Sequence, residues 1–395
     1  MKFQKGRAKH ALRRIGALLL LALLAGCAVR AGKSPEDPAA APETEGVPDD
    51  AFSAAAERLL ADMSREEKAW QMLVLFPQQI TGSASTGNAT LWASGFAARS
   101  VGGVVFDGEN MTSEAELRGM LAAAGSVGKT APLLCVDEEG GAVARLAYNL
   151  GAVTKFRPMY TYRDMGPETA RDNAGTIGSE IADFGFNVDF APVADVWTNP
   201  ANTVIGRRAY SDDPREAATL VSAAVQGFHD GGVACVLKHF PGHGDTAEDS
   251  HQKAAYCDKT AEELAQCELL PFIAGMEAGA DMVMIGHITL PALDPDHPAT
   301  ISRTIITGLL REQLGFDGVV ITDALRMGAL SGVGDGAAET AVMAVEAGCD
   351  LLLAPEDPDA VVRALLERID DARLDESVRR ILTLKLRRGI IEHAD

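Results

Sequence analysis

The sequence predicts an α/β fold in which eight parallel strands alternate with helices and close into one (β/α)8 TIM-type barrel. Three observations predict it. Eight short apolar runs recur along the chain, and each ends in a polar or glycine cluster. Alanine-rich segments with helical spacing lie between them, several ending in the glycine that a helix C-terminus favours. The ionisable residues that interrupt the apolar runs gather at one end of each run. Continuous apolar strands separated by helices call for a parallel sheet buried on both faces. An open doubly wound sheet is the alternative, but no GxGxxG follows the first run, and eight units suit closure.

The chain does not begin with the barrel. Residues 1–26 carry Lys2, Lys5, Arg7, Lys9, Arg13 and Arg14 ahead of an apolar run at 15–25, too short for a spanning helix and typical of an export signal. Residues 24–27 read LAGC, which resembles the lipobox of bacterial lipoproteins, so cleavage is expected before Cys27 and a lipid on it. Residues 27–50, rich in Pro, Ala and acids and lacking aromatics, are expected to form a disordered spacer. The barrel is then expected over residues 51–395, as one domain.

Ser64 and Glu67 form a capping box that starts a helix leading into the first strand. The strands are expected within 70–77, 101–108, 131–141, 186–196, 234–244, 281–288, 318–325 and 350–355. Helices are expected over 114–125, 170–185, 215–232, 268–279 and 336–348, and two closing helices over 357–369 and 375–390.

Charge narrows the function. Removing residues 1–26 takes six cations and no acids, leaving 30 basic against 56 acidic residues, a net charge of −26. Such a surface repels nucleic acid and anionic lipid headgroups, so neither is expected as a partner. Five cysteines remain after Cys27, without CxxC spacing. Cys135, Cys235 and Cys349 lie in apolar runs and read as reduced core residues. Cys257 and Cys267 could pair, although both fall on one short segment.

Asp137, Asp195, Lys238, His239, His287 and Asp323 all fall at or just past the C-terminal ends of the expected strands, the barrel face on which active sites are built. The stretch 238–251, KHFPGHGDTAEDSH, is the densest in titratable groups. Pro241, Gly242 and Gly244 prevent a helix there, so His239 and His243 cannot share the helical face that H-E-x-x-H zinc sites use. A metal is therefore not expected. Asp249 stands two residues before His251, close enough to accept the ring N–H and tune the imidazole as a general acid/base. Asp323 supplies a carboxylate suited to attack on an anomeric carbon, as retaining glycoside hydrolysis requires.

Together with VDEEGGAVARL, FAPVADVWTNPANTVIGRRAY, MIGHITLPALDPDHPATIS and VVITDALRM, this stretch resembles glycoside hydrolase family 3, in its single-domain β-N-acetylglucosaminidase branch, from about residue 58 to 392. The resemblance implies that Asp323 is the nucleophile of a covalent glycosyl-enzyme and that His251 is the acid/base with Asp249 as its partner. It implies that Asp137, Arg208, Lys238 and His239 grip the terminal sugar, with His287 near the same pocket. Ala142 stands where the family often has arginine, and Tyr210 where phenylalanine is frequent.

The expected protein is an exported, lipid-anchored, monomeric exo-β-N-acetylglucosaminidase that needs no cofactor and acts on peptidoglycan fragments or chito-oligosaccharides. The readings set against it are a phosphorylase on the same sugar, a β-glucosidase or β-xylosidase, and a sugar-binding protein without turnover. Trp92, between the first two strands, is read as a packing residue.

Overall fold

The computed structural model describes residues 49–392 apart from 129, 248–253 and 331–332. The strands of the main sheet are β1 (Leu73–Leu75), β2 (Gly103–Phe106), β3 (Leu133–Val136), β4 (Val188–Asp189), β5 (Ala234–Phe240), β6 (Met282–Ile285), β7 (Val319–Thr322) and β8 (Leu352–Leu353). All pair in parallel, in the order β7-β6-β5-β4-β3-β2-β1-β8. The ring closes between β7 and β8. Thr322 N donates to Leu351 O at 3.0 Å, Leu351 N donates to Val320 O at 3.0 Å, and a parallel bridge joins Ile321 to Leu351. The predicted (β/α)8 barrel is thus the observed architecture, and each expected apolar run holds one of its strands.

Strand β4 is shorter than its run. Only Val188 and Asp189 pair regularly, followed by a single bridge from Val193 to Lys238. Pro192 has no N–H to give to the ladder, so pairing is interrupted in the middle of the run.

The helices follow the signals in the sequence. The first described helix is α1 (Asp49–Ala61), whose first two residues fall inside the stretch read as spacer. Helix α2 (Arg65–Gln71) opens on the predicted capping box, with both reciprocal Ser64–Glu67 hydrogen bonds present. Around the barrel run α3 (Glu114–Gly125), α4 (Pro167–Phe184), α5 (Pro214–Asp230), α6 (Leu269–Glu277) and α7 (Ala337–Ala347), and α8 (Pro358–Arg368) and α9 (Asp371–Arg387) complete it. Helices α4 and α5 pack closely, because Gly227 lets the backbones meet: a Cβ there would lie 2.2 Å from Arg171 O. Among the described residues no helix is long and apolar enough to cross a membrane.

One apolar core fills the barrel and its helical jacket, with Phe106, Phe190, Phe228, Phe240 and Phe272 among its largest members. Trp92 belongs to it: its ring is fully buried, stacks with Phe106 at 6.5 Å, and gives its N–H to Thr86 O at 2.8 Å. The five described cysteines are free thiols, including Cys257 and Cys267.

Candidate active site

The C-terminal ends of β3, β5, β6 and β7 set the charged residues around one mouth. Past β3, Asp137 leads into a two-stranded hairpin of Glu138–Gly140 and Val143–Ala144. Gly140 and Gly141 turn it with φ of 80° and 67°, a region open to glycine. Ala142, at the tip, is exposed. Glu138 fastens the hairpin from below. Its carboxyl oxygens accept the amides of Leu146 at 2.7 Å and Ala147 at 3.2 Å, while its own amide donates to Asp189 Oδ1 at 3.0 Å. Burial pushes the Glu138 carboxyl up to about 7 against the pull of those amides, and lifts Asp189 well above the usual carboxylate range.

Four charges interlock above this floor. Lys238 Nζ lies 2.6 Å from Asp137 Oδ1 and 2.6 Å from Glu139 Oε1. The Arg208 guanidinium, on the turn Gly206–Arg208 after β4, grips Glu139 with both arms at 2.7 and 2.9 Å and gives a third hydrogen bond to Val204 O. Burial opposes ionisation of Glu139, yet the two cations hold its carboxyl far below the ordinary range. Burial likewise works against the Lys238 ammonium, and Asp137 and Glu139 outweigh it, raising its pKa. Asp137 is the exposed end of the chain of pairs, with about a quarter of its side chain open at the mouth. The arrangement sets carboxylates and cations side by side at the mouth, donors next to acceptors.

A second group centres on Asp195, fully buried at the base of the loop after β4. One carboxylate collects His239 Nδ1 at 2.7 Å, the His239 amide at 3.2 Å and the His243 amide at 2.6 Å. Burial raises its pKa, but the histidines and amides overcome this and leave it lowered. The histidine rings meet edge to face at 5.9 Å, and His243 Nδ1 lies 2.7 Å from Thr246 Oγ1. Burial depresses the His243 pKa, aided by His239 and opposed by Asp195 and Asp323, so Asp323 lies within electrostatic reach of that ring.

Asp323, partly exposed, extends β7 by one residue: its amide donates to Ile285 O at 3.0 Å, and its Oδ1 accepts the amide of Ala324 at 2.7 Å. His287, after β6, lies beneath that segment. Its Nε2–H donates to Ala324 O at 3.0 Å, and its Nδ1 lies 2.6 Å from Thr300 Oγ1. With both ring nitrogens engaged and the ring 1% exposed, His287 braces the backbone next to Asp323.

The Glycosyl hydrolase family 3 N terminal domain profile matches residues 79–384. The chain belongs to glycosyl hydrolase family 3. Accordingly, it is an enzyme of the glycosidase class. A β-hexosaminidase of Xanthomonas oryzae pv. oryzae is 38% identical over 269 residues, covering 67% of this chain and 79% of the relative. A family 3 β-N-acetylglucosaminidase structure from Paenibacillus sp. str. FPU-7 is 39% identical with a TM-score of 0.75, over 83% of this chain and 63% of that one. A β-N-acetylhexosaminidase structure from Beutenbergia cavernae DSM 12333 is 31% identical with a TM-score of 0.69, over 82% of this chain and 98% of that one.

Of the site residues expected in this family 3 chain, the fold brings Asp137, Arg208, Lys238, His239, His287 and Asp323 to the same mouth. Asp249 and His251, and Cys27 of the N-terminal segment, lie outside the described residues. Glu139 is the group that sequence reasoning passed over, and Asp195 was read as a rim residue without an assigned role. For Asp195 the signal was its place at a strand end. For Glu139 it was a second acid next to Glu138 in a buried turn.

Among the described residues one group of potential metal ligands occurs, His229, Cys235 and Asp281, and it lies at the opposite end of the barrel. Arg388 already fills it, with Nε 2.6 Å from Asp281 Oδ1 and Nη2 2.5 Å from His229 Nε2. A cation in that position makes the cluster a fastening for the C-terminal end of α9.

Proposed function

We propose that the protein is an exo-acting, retaining β-N-acetylglucosaminidase, anchored outside the cytoplasmic membrane by a lipid on Cys27. The observation that carries the reading is the Asp137–Lys238–Glu139–Arg208 network on the same C-terminal rim of the barrel as Asp323. A closed, charged grip on one side of the cavity suits a terminal sugar, whose hydroxyls it can meet with donors and acceptors together. The β-hexosaminidase relatives support the acetamido sugar.

In this mechanism Asp323 attacks the anomeric carbon while His251, oriented by Asp249, gives its proton to the departing oxygen. A glycosyl ester forms on Asp323. His251, now neutral, takes a proton from water as the water attacks the same carbon, and the ester bond breaks with overall retention. A neutral imidazole adds no second negative charge beside the departing carboxylate. The cations at Lys238 and Arg208 stay fixed throughout, so the sugar is held without reorganisation.

The test is release of nitrophenol from the 4-nitrophenyl β-N-acetylglucosaminide and, in parallel, from the β-glucoside. The expected result is a strong preference for the acetamido sugar and a loss of at least about 1,000-fold in Asp323→Asn, as removal of a covalent nucleophile implies. Faster turnover of the glucoside, or unchanged turnover in the variant, rejects the proposal. Products formed in phosphate buffer distinguish hydrolysis from phosphorolysis. For the anchor, Cys27→Ser is expected to move the protein from the detergent phase to the aqueous phase in Triton X-114 partition of expressing cells.

A further inference from the structure

We infer that Trp197 and Tyr160 form the wall that receives the leaving-group sugar, a second hexopyranose with an apolar face. The inference rests on the proposed placement of the acid, because a leaving group must lie beside the group that protonates it. The segment carrying that acid leaves the barrel through residues 243–246, and this stem is bound along its length to residues 196–202. Asn202 Nδ2 donates to His243 O at 2.7 Å, Asn199 Nδ2 donates to Asp245 O at 3.1 Å, and Thr198 Oγ1 donates to Asp245 Oδ1 at 3.0 Å. Gly244 approaches so closely that a Cβ there would lie 1.8 Å from Val196 O. The large ring held at this junction is Trp197.

Two observations separate Trp197 from an ordinary packing residue. The chain has three tryptophans. Trp70 and Trp92 are buried in the main core, whereas Trp197 is partly exposed. Trp197 rests on a separate apolar island of Val193, Ile205 and Ala209, formed by the same loop that delivers Arg208 to the charged grip. Tyr160 meets Trp197 edge to face at 5.1 Å, and Arg163 covers the Tyr160 ring at 4.3 Å, fixing the second half of the wall. Aromatic rings bury the C–H face of a pyranose while leaving its hydroxyls wet. An aromatic wall one residue beyond Val196, against which the acid-bearing stem packs, reads the sugar being expelled and leaves the retained sugar to Lys238 and Arg208.

Two measurements test this. In the Asp323→Asn protein, tryptophan emission is followed with acrylamide as quencher, alone, with N-acetylglucosamine, and with N,N′-diacetylchitobiose. The expected result is that the disaccharide shields the exposed tryptophan, that the monosaccharide does not, and that Trp197→Phe in the same background abolishes the difference. Equal shielding by both sugars overturns the inference. In the otherwise wild-type enzyme, Trp197→Ala is expected to lower kcat/KM on N,N′-diacetylchitobiose about tenfold, the scale of a lost aromatic contact. Turnover of 2-acetamido-2-deoxy-β-glucosyl azide, whose leaving group is too small to reach the wall, is expected to stay within about threefold, since none of that contact is at stake. An equal loss on both substrates, or no loss on either, rejects the wall. Shielding requires no turnover, so a protein that protects Trp197 with disaccharide yet cleaves nothing sinks the glycosidase reading and retains the subsite.

Discussion

Glu139 shows how one side chain holds the site together. It is almost fully buried, and its two oxygens are shared among Arg208 and Lys238, so its charge cancels cations that the cavity could not otherwise hold. Replacing it with Gln leaves Arg208 without its bidentate partner and Lys238 with Asp137 alone. Breaking a buried pair from one side costs about 3–5 kcal/mol. Glu139→Gln is therefore expected to lower the thermal midpoint by several degrees at pH 7 and to reduce kcat/KM at least about 100-fold, because the residues expected to grip the sugar lose their common anchor. Calorimetry and steady-state kinetics check the two effects. The pH dependence follows from the depressed carboxyl. Its stabilising contribution is complete above the unfolded-state pKa near 4.3 and disappears as the pH falls through the much lower folded value. The stability gap between wild type and Glu139→Gln should then close in strong acid, and a constant gap from pH 7 down to pH 2 rejects this account.

The sequence showed carboxylates at strand ends but could not show which of them would be shared. Asp137, Asp195, Lys238 and Asp323 were legible because a charge at the end of an apolar run needs a reason. Glu139 was hidden because its partners come from β5 and from the turn after β4, and pairing across a barrel has no local signature. His287 was legible as a rim residue, but its place beneath the Ala324 carbonyl depends on how β6 and β7 lie side by side.

At the scale of elements, capping chemistry made the helices readable. The predicted capping box starts α2, and α3 occupies the 114–125 segment without a shift. What escaped was the interruption of β4, where the apolar pattern continues but Pro192 removes a donor. The contact between α4 and α5 was equally hidden, because glycine in a helix can mark either weakness or close approach. Here it is close approach. A Cβ on Gly227 would lie 2.2 Å from Arg171 O and 2.8 Å from the Ala174 Cβ, so neither helix can accommodate it without moving. Forced overpacking of this kind costs about 1–3 kcal/mol, which exceeds the fraction of a kcal/mol that alanine gains over glycine in a helix. Gly227→Ala is thus expected to lower the thermal midpoint by a few degrees while leaving KM unchanged, since the contact lies on the outer jacket. A rise in the midpoint rejects the close approach.

Across the whole molecule, buried charge is held in pairs at both ends of the barrel, at the mouth by Lys238 and Glu139 and at the other end by Asp281 with Arg388 and Asp350 with Arg311. That other end also encloses an amine that has no carboxylate partner among the described residues. Lys385, on α9, is completely buried, and among the described residues its Nζ hydrogen-bonds the neutral amide oxygen of Gln71 alone, at 3.0 Å. Gln71 in turn accepts from Thr130 and donates to Ser100 O, so the amine completes a polar plug across the base of the barrel. The titratable group near it is Cys135, whose buried thiol is held well above its usual range and stays neutral. Burial lowers the Lys385 pKa to about 7. The sign of the consequence is the reverse of that for a paired lysine. Between the unfolded-state value near 10.4 and about 7, the unfolded chain holds a proton that the folded chain does not, so stability rises with pH across that window. Below about 7 both states are protonated and the penalty, on the order of a few kcal/mol, is complete. Lys385→Met fills the same space without the charge. It is expected to be more stable than wild type at pH 6–7, with the advantage shrinking toward zero by about pH 10, as urea unfolding at several pH values would show. A difference that does not vary over that range, or a variant less stable at pH 7, would mean that the amine serves the plug through hydrogen bonding alone and remains charged inside the fold.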